Sequence, residues 1–180
     1  MHTPLSRKSN KGFSLLETMM AILVLSFGVL SLAGVLATGL AYMAMSQADF
    51  VAQQKAGEAI ESIFTARDSS ALTWPQILNT ADGGIFTGGN VQLLGPGVDG
   101  IVGTIDDALP VDCVVGPGPD GILGTADDTC IPLSGYTRNI AITTNVNGDT
   151  SLRQITVTMN YQAGKWTRQY VLTTFISQTF

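Results

Sequence analysis

The feature that most constrains this chain is a run of 31 residues without a charged side chain, from Thr18 to Ala48. Leu, Ile, Val, Met, Ala and Gly make up most of it, as in a transmembrane helix. As a helix the run would be about 47 Å long, whereas the hydrocarbon core of a bilayer is about 30 Å thick. The sequence therefore predicts a helix that crosses a membrane and continues beyond it.

Two simpler interpretations of this run explain less. A secretory signal peptide has an apolar region of only about 7–15 residues, followed by a small-residue cleavage site. A plain membrane anchor fits the length but leaves Glu17 unexplained, because a carboxylate in lipid costs about 2.5–3.5 kcal/mol even on insertion scales. Arg7, Lys8 and Lys11 precede the run, so the positive-inside rule predicts a cytoplasmic N-terminus and places the rest outside.

The charge distribution excludes several classes of function. The net charge of the chain is −5, and three of its nine basic residues lie in the first eleven positions. A chain beginning after Gly12 would have a net charge of −8 and no histidine, since His2 is the only one. The sequence therefore argues against histidine catalysis and histidine–zinc sites. No nucleic-acid partner is expected, because no Lys or Arg lies between Arg67 and Arg138.

The residues that open the apolar run, Lys11-Gly12-Phe13-Ser14-Leu15-Leu16-Glu17, resemble the type IV prepilin signal. The basic leader, the glycine, the phenylalanine and the glutamate at the fifth mature position all coincide with that signal. The resemblance implies that a prepilin peptidase cleaves between Gly12 and Phe13 and N-methylates Phe13. Glu17 would then act in assembly, neutralising the terminal amine of a neighbouring subunit in a water-poor filament core. Such a buried pair favours specificity more than stability.

The segment LVLSFGVLSLAG at residues 23–34, followed by an Ala/Gln-rich helix, is similar to PilV-type minor pilins; the minor pseudopilins of type II secretion are also similar. The resemblance implies a structural subunit rather than an enzyme, with no required cofactor. Its partners would be the prepilin peptidase, the inner membrane of a bacterium, and other pilins contacted through the N-terminal helix. The domain after the helix would lie outside the cytoplasm before assembly, and afterwards in a pilus at the cell surface. A membrane-anchored, calcium-responsive binding module, which needs no filament, stays open as an alternative.

The sequence predicts four segments and an α+β, pilin-like fold. A leader covers 1–12, and a long helix covers 13–70, with 13–45 in the membrane and 46–70 as an amphipathic half outside it. A Gly/Pro/Asp-rich region at 71–135 follows. Hairpin signals divide 136–180 into a meander of three antiparallel strands, or part of a larger sheet, packed on the helix.

The Gly/Pro/Asp-rich region contains an internal repeat. Residues 95–107 recur 21 positions later at 116–128, with ten of thirteen residues identical. Each copy holds three aspartates among glycines, and calcium prefers carboxylate and carbonyl oxygens. The candidate calcium ligands are Asp99, Asp106 and Asp107 in the first copy, and Asp120, Asp127 and Asp128 in the second. The alternative is that these aspartates accept hydrogen bonds from backbone amides in tight turns.

Two cysteines, Cys113 and Cys130, bracket the second copy. Their predicted position outside the cytoplasm favours a disulfide, because thiols are oxidised there. A bridge of this span would stabilise the chain by about 3 kcal/mol in the chain-entropy model.

Overall fold

The computed structural model describes residues 12–178. The leader residues 1–11, including Arg7, Lys8 and Lys11, lie outside the described part. The chain divides into two compact units, one ending at Met43 and one beginning at Ala44.

The first long element is helix α1, Leu15–Asp68. It ends where Ser70 takes a left-handed backbone conformation with φ of 59°. The amide of Ser70 donates a 2.9 Å hydrogen bond to the carbonyl of Arg67, and the amide of Leu72 donates a 3.0 Å hydrogen bond to the carbonyl of Ala66. These bonds satisfy carbonyl groups of the last helical turn. The helix therefore ends two residues before position 70, the end that the sequence predicted.

The part of α1 in the second unit presents a stripe of small residues to the core. Ala52, Ala56, Ala59 and Ile63 are fully buried there, at the three- and four-residue spacings of one helix face. Alanine lets the helix approach a sheet closely, and Ile63 supplies bulk. The helix is therefore packed by its apolar face, as the sequence predicted.

The core of the second unit lies between this helix face and a four-stranded antiparallel sheet in the order β1-β6-β7-β8. The strands are β1 at Val91–Gln92, β6 at Tyr136–Thr143, β7 at Leu152–Ala163 and β8 at Trp166–Ser177. Every second residue of β7 is buried, from Arg153 to Ala163. These side chains therefore lie on one face of the sheet, the face that packs on the helix. The α+β fold of a long apolar helix packed on an antiparallel sheet is confirmed.

The Gly/Pro/Asp-rich region is built from two small hairpins. Strand β2 at Leu94–Gly95 pairs with β3 at Ala108–Val111, and β4 at Cys113–Gly116 pairs with β5 at Thr129–Pro132. Two short 3₁₀ helices, Trp74–Gln76 and Thr80–Asp82, precede these hairpins. Asn79 lies between them, where its side chain bonds to the sheet.

Candidate functional site

The N-terminus of α1 is capped by Ser14. The amide of Glu17 donates to Ser14 Oγ at 3.2 Å, and the amide of Thr18 donates to the Ser14 carbonyl at 3.2 Å. Glu17 therefore lies in the first helical turn, where a negative charge is favoured by the helix dipole. The predicted cleavage position, between Gly12 and Phe13, directly precedes this cap, and the Phe13 side chain is exposed.

The first part of α1 is an apolar helix whose surface is fully exposed. One window of 18 residues within Leu15–Asp68 is apolar enough to cross a membrane, and none of that window is buried. Its hydroxyl groups donate back to the helix itself. Ser26 Oγ bonds the Ile22 carbonyl at 2.7 Å, and Ser31 Oγ bonds the Phe27 carbonyl at 2.8 Å. These polar groups thus have partners without water, as a lipid environment requires.

The two copies of the repeat fold into loops with the same internal hydrogen bonds. In the first, the amide of Ile101 donates to Asp99 at 2.8 Å, the amide of Gly103 to Asp107 at 2.7 Å, and the Thr104 hydroxyl to Asp106 at 2.6 Å. The second repeats these bonds at 2.8, 2.7 and 2.6 Å, with each residue shifted by 21 positions. We call residues 95–107 the first loop and residues 116–128 the second loop.

The surroundings of the two loops differ completely. Ile101 and Val102 of the first loop are 5% and 4% exposed, whereas Ile122 and Leu123 of the second are 60% and 62% exposed. A Cβ atom added to Gly103 would lie 2.3 Å from Cδ1 of Ile140, while one added to Gly124 would meet nothing within 4 Å. The first loop is therefore part of the core, and the second is a surface loop.

An ion pair also fastens the first loop to the sheet. Asp107 Oδ2 lies 3.6 Å from Nη2 of Arg138 on β6, and the Arg138 side chain is 1% exposed. Burial raises the pKa of Asp107, and burial lowers the pKa of Arg138. The same residue in the second loop, Asp128, has a buried Oδ1 with no hydrogen-bond partner among the described residues.

Within residues 12–178, no group of three or more His, Cys, Asp or Glu side chains is arranged to hold a metal ion. The candidate ligands Asp99, Asp106 and Asp107, and Asp120, Asp127 and Asp128, instead accept hydrogen bonds inside their own loops. The hydroxyl of Thr104 lowers the pKa of Asp106, and that of Thr125 lowers the pKa of Asp127. These contacts are the backbone turns of the alternative interpretation, and calcium binding stays a prediction.

Cys113 and Cys130 form a disulfide, with their Cα atoms 5.6 Å apart. Cys113 lies on β4 and Cys130 on the paired strand β5, where Cys130 is the register partner of Val115. The bridge therefore closes the base of the hairpin that carries the second loop. The disulfide predicted from the sequence is present.

Sequence reasoning missed three groups that build the second unit. Asn79 continues the sheet edge beyond β1, since its side chain donates to the Ile140 carbonyl at 2.7 Å and accepts from the Ile142 amide at 2.8 Å. Arg153 is buried against Trp74, with its guanidinium 4.0 Å from the ring centroid. The third is Arg138. The alternation of buried and exposed residues along β6 and β7 assigns Arg138 and Arg153 to the buried face. Sequence reasoning missed them because charged side chains are ordinarily expected on the exposed face.

Comparison with known proteins adds one match. Residues 7–33 match the family model described as the prokaryotic N-terminal methylation motif. No curated protein and no solved structure matches the chain. The motif is the prepilin-type signal, and together with the apolar helix that it opens it supports a type IV pilin-like protein, a structural subunit rather than an enzyme. Such a signal implies processing by prepilin peptidase, anchoring in the membrane and assembly with other pilins.

Proposed function

We propose that this chain is a minor type IV pilin of the PilV type, a subunit of a pilus that acts in priming, tip composition or adhesion. The observation that carries the proposal is the methylation motif at residues 7–33, placed at the start of an exposed apolar helix. Prepilin peptidase cleaves between Gly12 and Phe13 and methylates the amine of Phe13. Before assembly the helix holds the chain in the bacterial inner membrane, with the second unit outside the cytoplasm.

Assembly moves the apolar helix from lipid into the centre of a filament. There Glu17 pairs with the methylated amine of a neighbouring subunit, which sets the register between them. The exposed surface of the helix supports this role, because an apolar surface of that extent must be covered by lipid or by other helices. A minor pseudopilin of a type II secretion system is the alternative, since the same motif would serve it.

Two measurements test the proposal. Mass spectrometry of the protein from membranes should show an N-terminus at Phe13 carrying one methyl group; an unmodified N-terminus at Met1 would contradict it. Glu17→Gln should reduce the chain in sheared pili by at least about tenfold while leaving it in the membrane, because a lost buried partner costs more than about 1.4 kcal/mol. The control is Glu61→Gln, which changes an exposed glutamate of the same helix.

The pilus fraction also separates the two filament systems. A minor pilin should be found in pili sheared from the cell surface, and its deletion should change pilus number or adhesion. If deletion instead abolishes protein secretion and leaves pili unchanged, the pseudopilin alternative is correct.

A further inference from the structure

The second loop leaves exposed the side chains that the first loop buries. We propose that the second loop is a docking site for a partner protein whose surface offers an apolar recess with an arginine or lysine at its edge. The inference goes beyond the proposed pilin function, because it concerns a surface outside the methylation motif and does not require a filament.

The chemistry of the partner follows from the contact that the first loop makes within the chain. That loop packs Gly103 against Ile140 and lies beside Arg138 through Asp107. Arg138 and Ile140 are two positions apart on β6, so both side chains lie on one face of the sheet. A strand face with an aliphatic side chain and a cation two residues apart is therefore a surface that this loop sequence fits.

The second loop is preorganised for the same contact. Its internal hydrogen bonds match those of the first loop, and Gly121 and Gly124 have φ values of 72° and 89°, against 71° and 87° for Gly100 and Gly103. The disulfide between Cys113 and Cys130 closes the hairpin that carries it. Binding would therefore require little ordering of the backbone, which is a principal cost of association.

The charge of the second loop decides which partner fits. Asp120, Asp127 and Asp128 lie beside the exposed Ile122 and Leu123, and no basic residue occurs between Arg67 and Arg138. Asp128 occupies the position at which Asp107 pairs with Arg138 through Oδ2, and within residues 12–178 the Asp128 carboxylate forms no ion pair. A cation on the partner would complete this position. Three carboxylates make a lipid surface unfavourable, because its negative charge repels them.

The test places the photocrosslinking residue benzoylphenylalanine at Leu123 in the full-length chain, in the cells that naturally produce it. Val98 of the first loop is the control position for the crosslinker. Its side chain is fully exposed, and it lies in a loop of the same conformation. We expect an adduct of one discrete mass from position 123 and none from position 98. The partner residue in the adduct should lie in an apolar recess next to an arginine or lysine.

Charge dependence separates docking from chance proximity. Asp128→Lys should weaken the adduct by at least about tenfold, and replacing the partner's cation with glutamate should restore it. Asp82→Lys is the control, since it makes the same change of charge at an exposed acid elsewhere in the unit. Ile122→Ser provides a second variant that removes apolar surface but keeps the backbone hydrogen bond to Asp120.

Three results would overturn the proposal. One is no adduct from position 123 above that from position 98. Another is an adduct that neither Asp128→Lys nor Ile122→Ser weakens. The last is an adduct to lipid, or to a protein site without a neighbouring cation. The methylated N-terminus at Phe13 tests the pilin proposal separately, so either proposal can fail without the other.

Discussion

Asp107 and Arg138 form an ion pair between the first loop and strand β6, with 3.6 Å between Oδ2 and Nη2. Nε and Nη1 of Arg138 have no hydrogen-bond partner among the described residues. Asp107 makes the largest electrostatic contribution that favours this buried charge, ahead of Glu58 and Asp112. Breaking the pair is destabilising, because the buried guanidinium would then lose its nearest carboxylate.

The first prediction follows from this pair and uses the repeat as its own control. Asp107→Asn should lower the free energy of unfolding by about 1–3 kcal/mol, since the buried Arg138 loses its nearest carboxylate and keeps only the attraction of Glu58 and Asp112. Asp128→Asn, the same change in the exposed loop, should lower it by less than about 0.5 kcal/mol. Urea unfolding of the full chain in detergent, followed by tryptophan fluorescence, measures both. Equal effects would show that the ion pair does not anchor the first loop.

A second comparison concerns the glycines of the two loops. Gly103 and Gly124 have nearly the same positive φ, so alanine brings the same backbone strain at either position. Only at Gly103 would the new Cβ also collide with Ile140. Gly103→Ala should therefore be less stable than Gly124→Ala by about 1–3 kcal/mol, the cost of overpacking a core. The same unfolding experiment measures this difference, and a difference near zero would contradict the close packing.

The disulfide should protect the second loop more than the first. Reduction removes the constraint on an exposed hairpin, whereas the first loop remains held by its buried side chains. A protease that cleaves before aspartate should therefore cut reduced protein first at Asp120, Asp127 or Asp128, and cut oxidised protein much more slowly. Mass spectrometry of the early fragments locates the cuts. Early cleavage at Asp99 or Asp106 in the reduced protein would contradict the prediction.

The pH dependence of stability should reflect Tyr161 and Asp49. The Tyr161 hydroxyl donates to Asp49 Oδ1 at 2.8 Å, and Arg168 donates to Oδ2 of the same carboxylate. Burial and the neighbouring Asp49 raise the pKa of Tyr161 to about 12. The hydrogen bond from Tyr161, followed by the contact with Arg168, lowers the pKa of Asp49 from its ordinary 3.8.

The signs of these two shifts define two windows. The stability from Tyr161 is fully present below about pH 10, its ordinary pKa, and is lost as the pH rises towards 12. The stability from Asp49 is present above its ordinary pKa of 3.8 and is lost as the pH falls through the lowered value. Tyr161→Phe should remove the last phenolate absorbance transition and flatten the alkaline loss of stability, whereas Tyr170→Phe should retain both. If the transition near pH 12 persists in Tyr161→Phe, it belongs to another tyrosine.

Calcium binding by the two loops is tested by titration of the full chain. The loops would have to exchange internal hydrogen bonds for the metal, so we expect affinity no better than about 10⁻⁴–10⁻³ M, as in extracellular modules. Calcium should then raise the melting temperature, and Asp127→Asn should weaken this effect. Isothermal titration without binding at millimolar calcium, together with a melting temperature unchanged by chelation, would exclude the hypothesis.

The sequence by itself determined the features that depend on neighbouring residues in the chain. An apolar run of 31 residues without charges is too long for an ordinary strand and favours a helix, and the motif from Gly12 to Glu17 opens it. The turns at residues 147–149 and 163–164 separate the strands of the meander. Even the hydrogen bonds inside the repeated loops are local, because Asp, Gly and Thr at fixed spacing make the same turns in both copies.

Only the tertiary structure decided which of the two loops is buried. Ten of thirteen residues are identical, yet Ile101 is buried and Ile122 is exposed. The reason is that burial depends on what lies opposite, and only the first loop meets Ile140 and Arg138 of β6. Arg138 follows the alternation of its strand into the core, where a distant carboxylate compensates its charge. No local sequence pattern predicts the ion pair between Asp107 and Arg138, because the two residues are 31 positions apart.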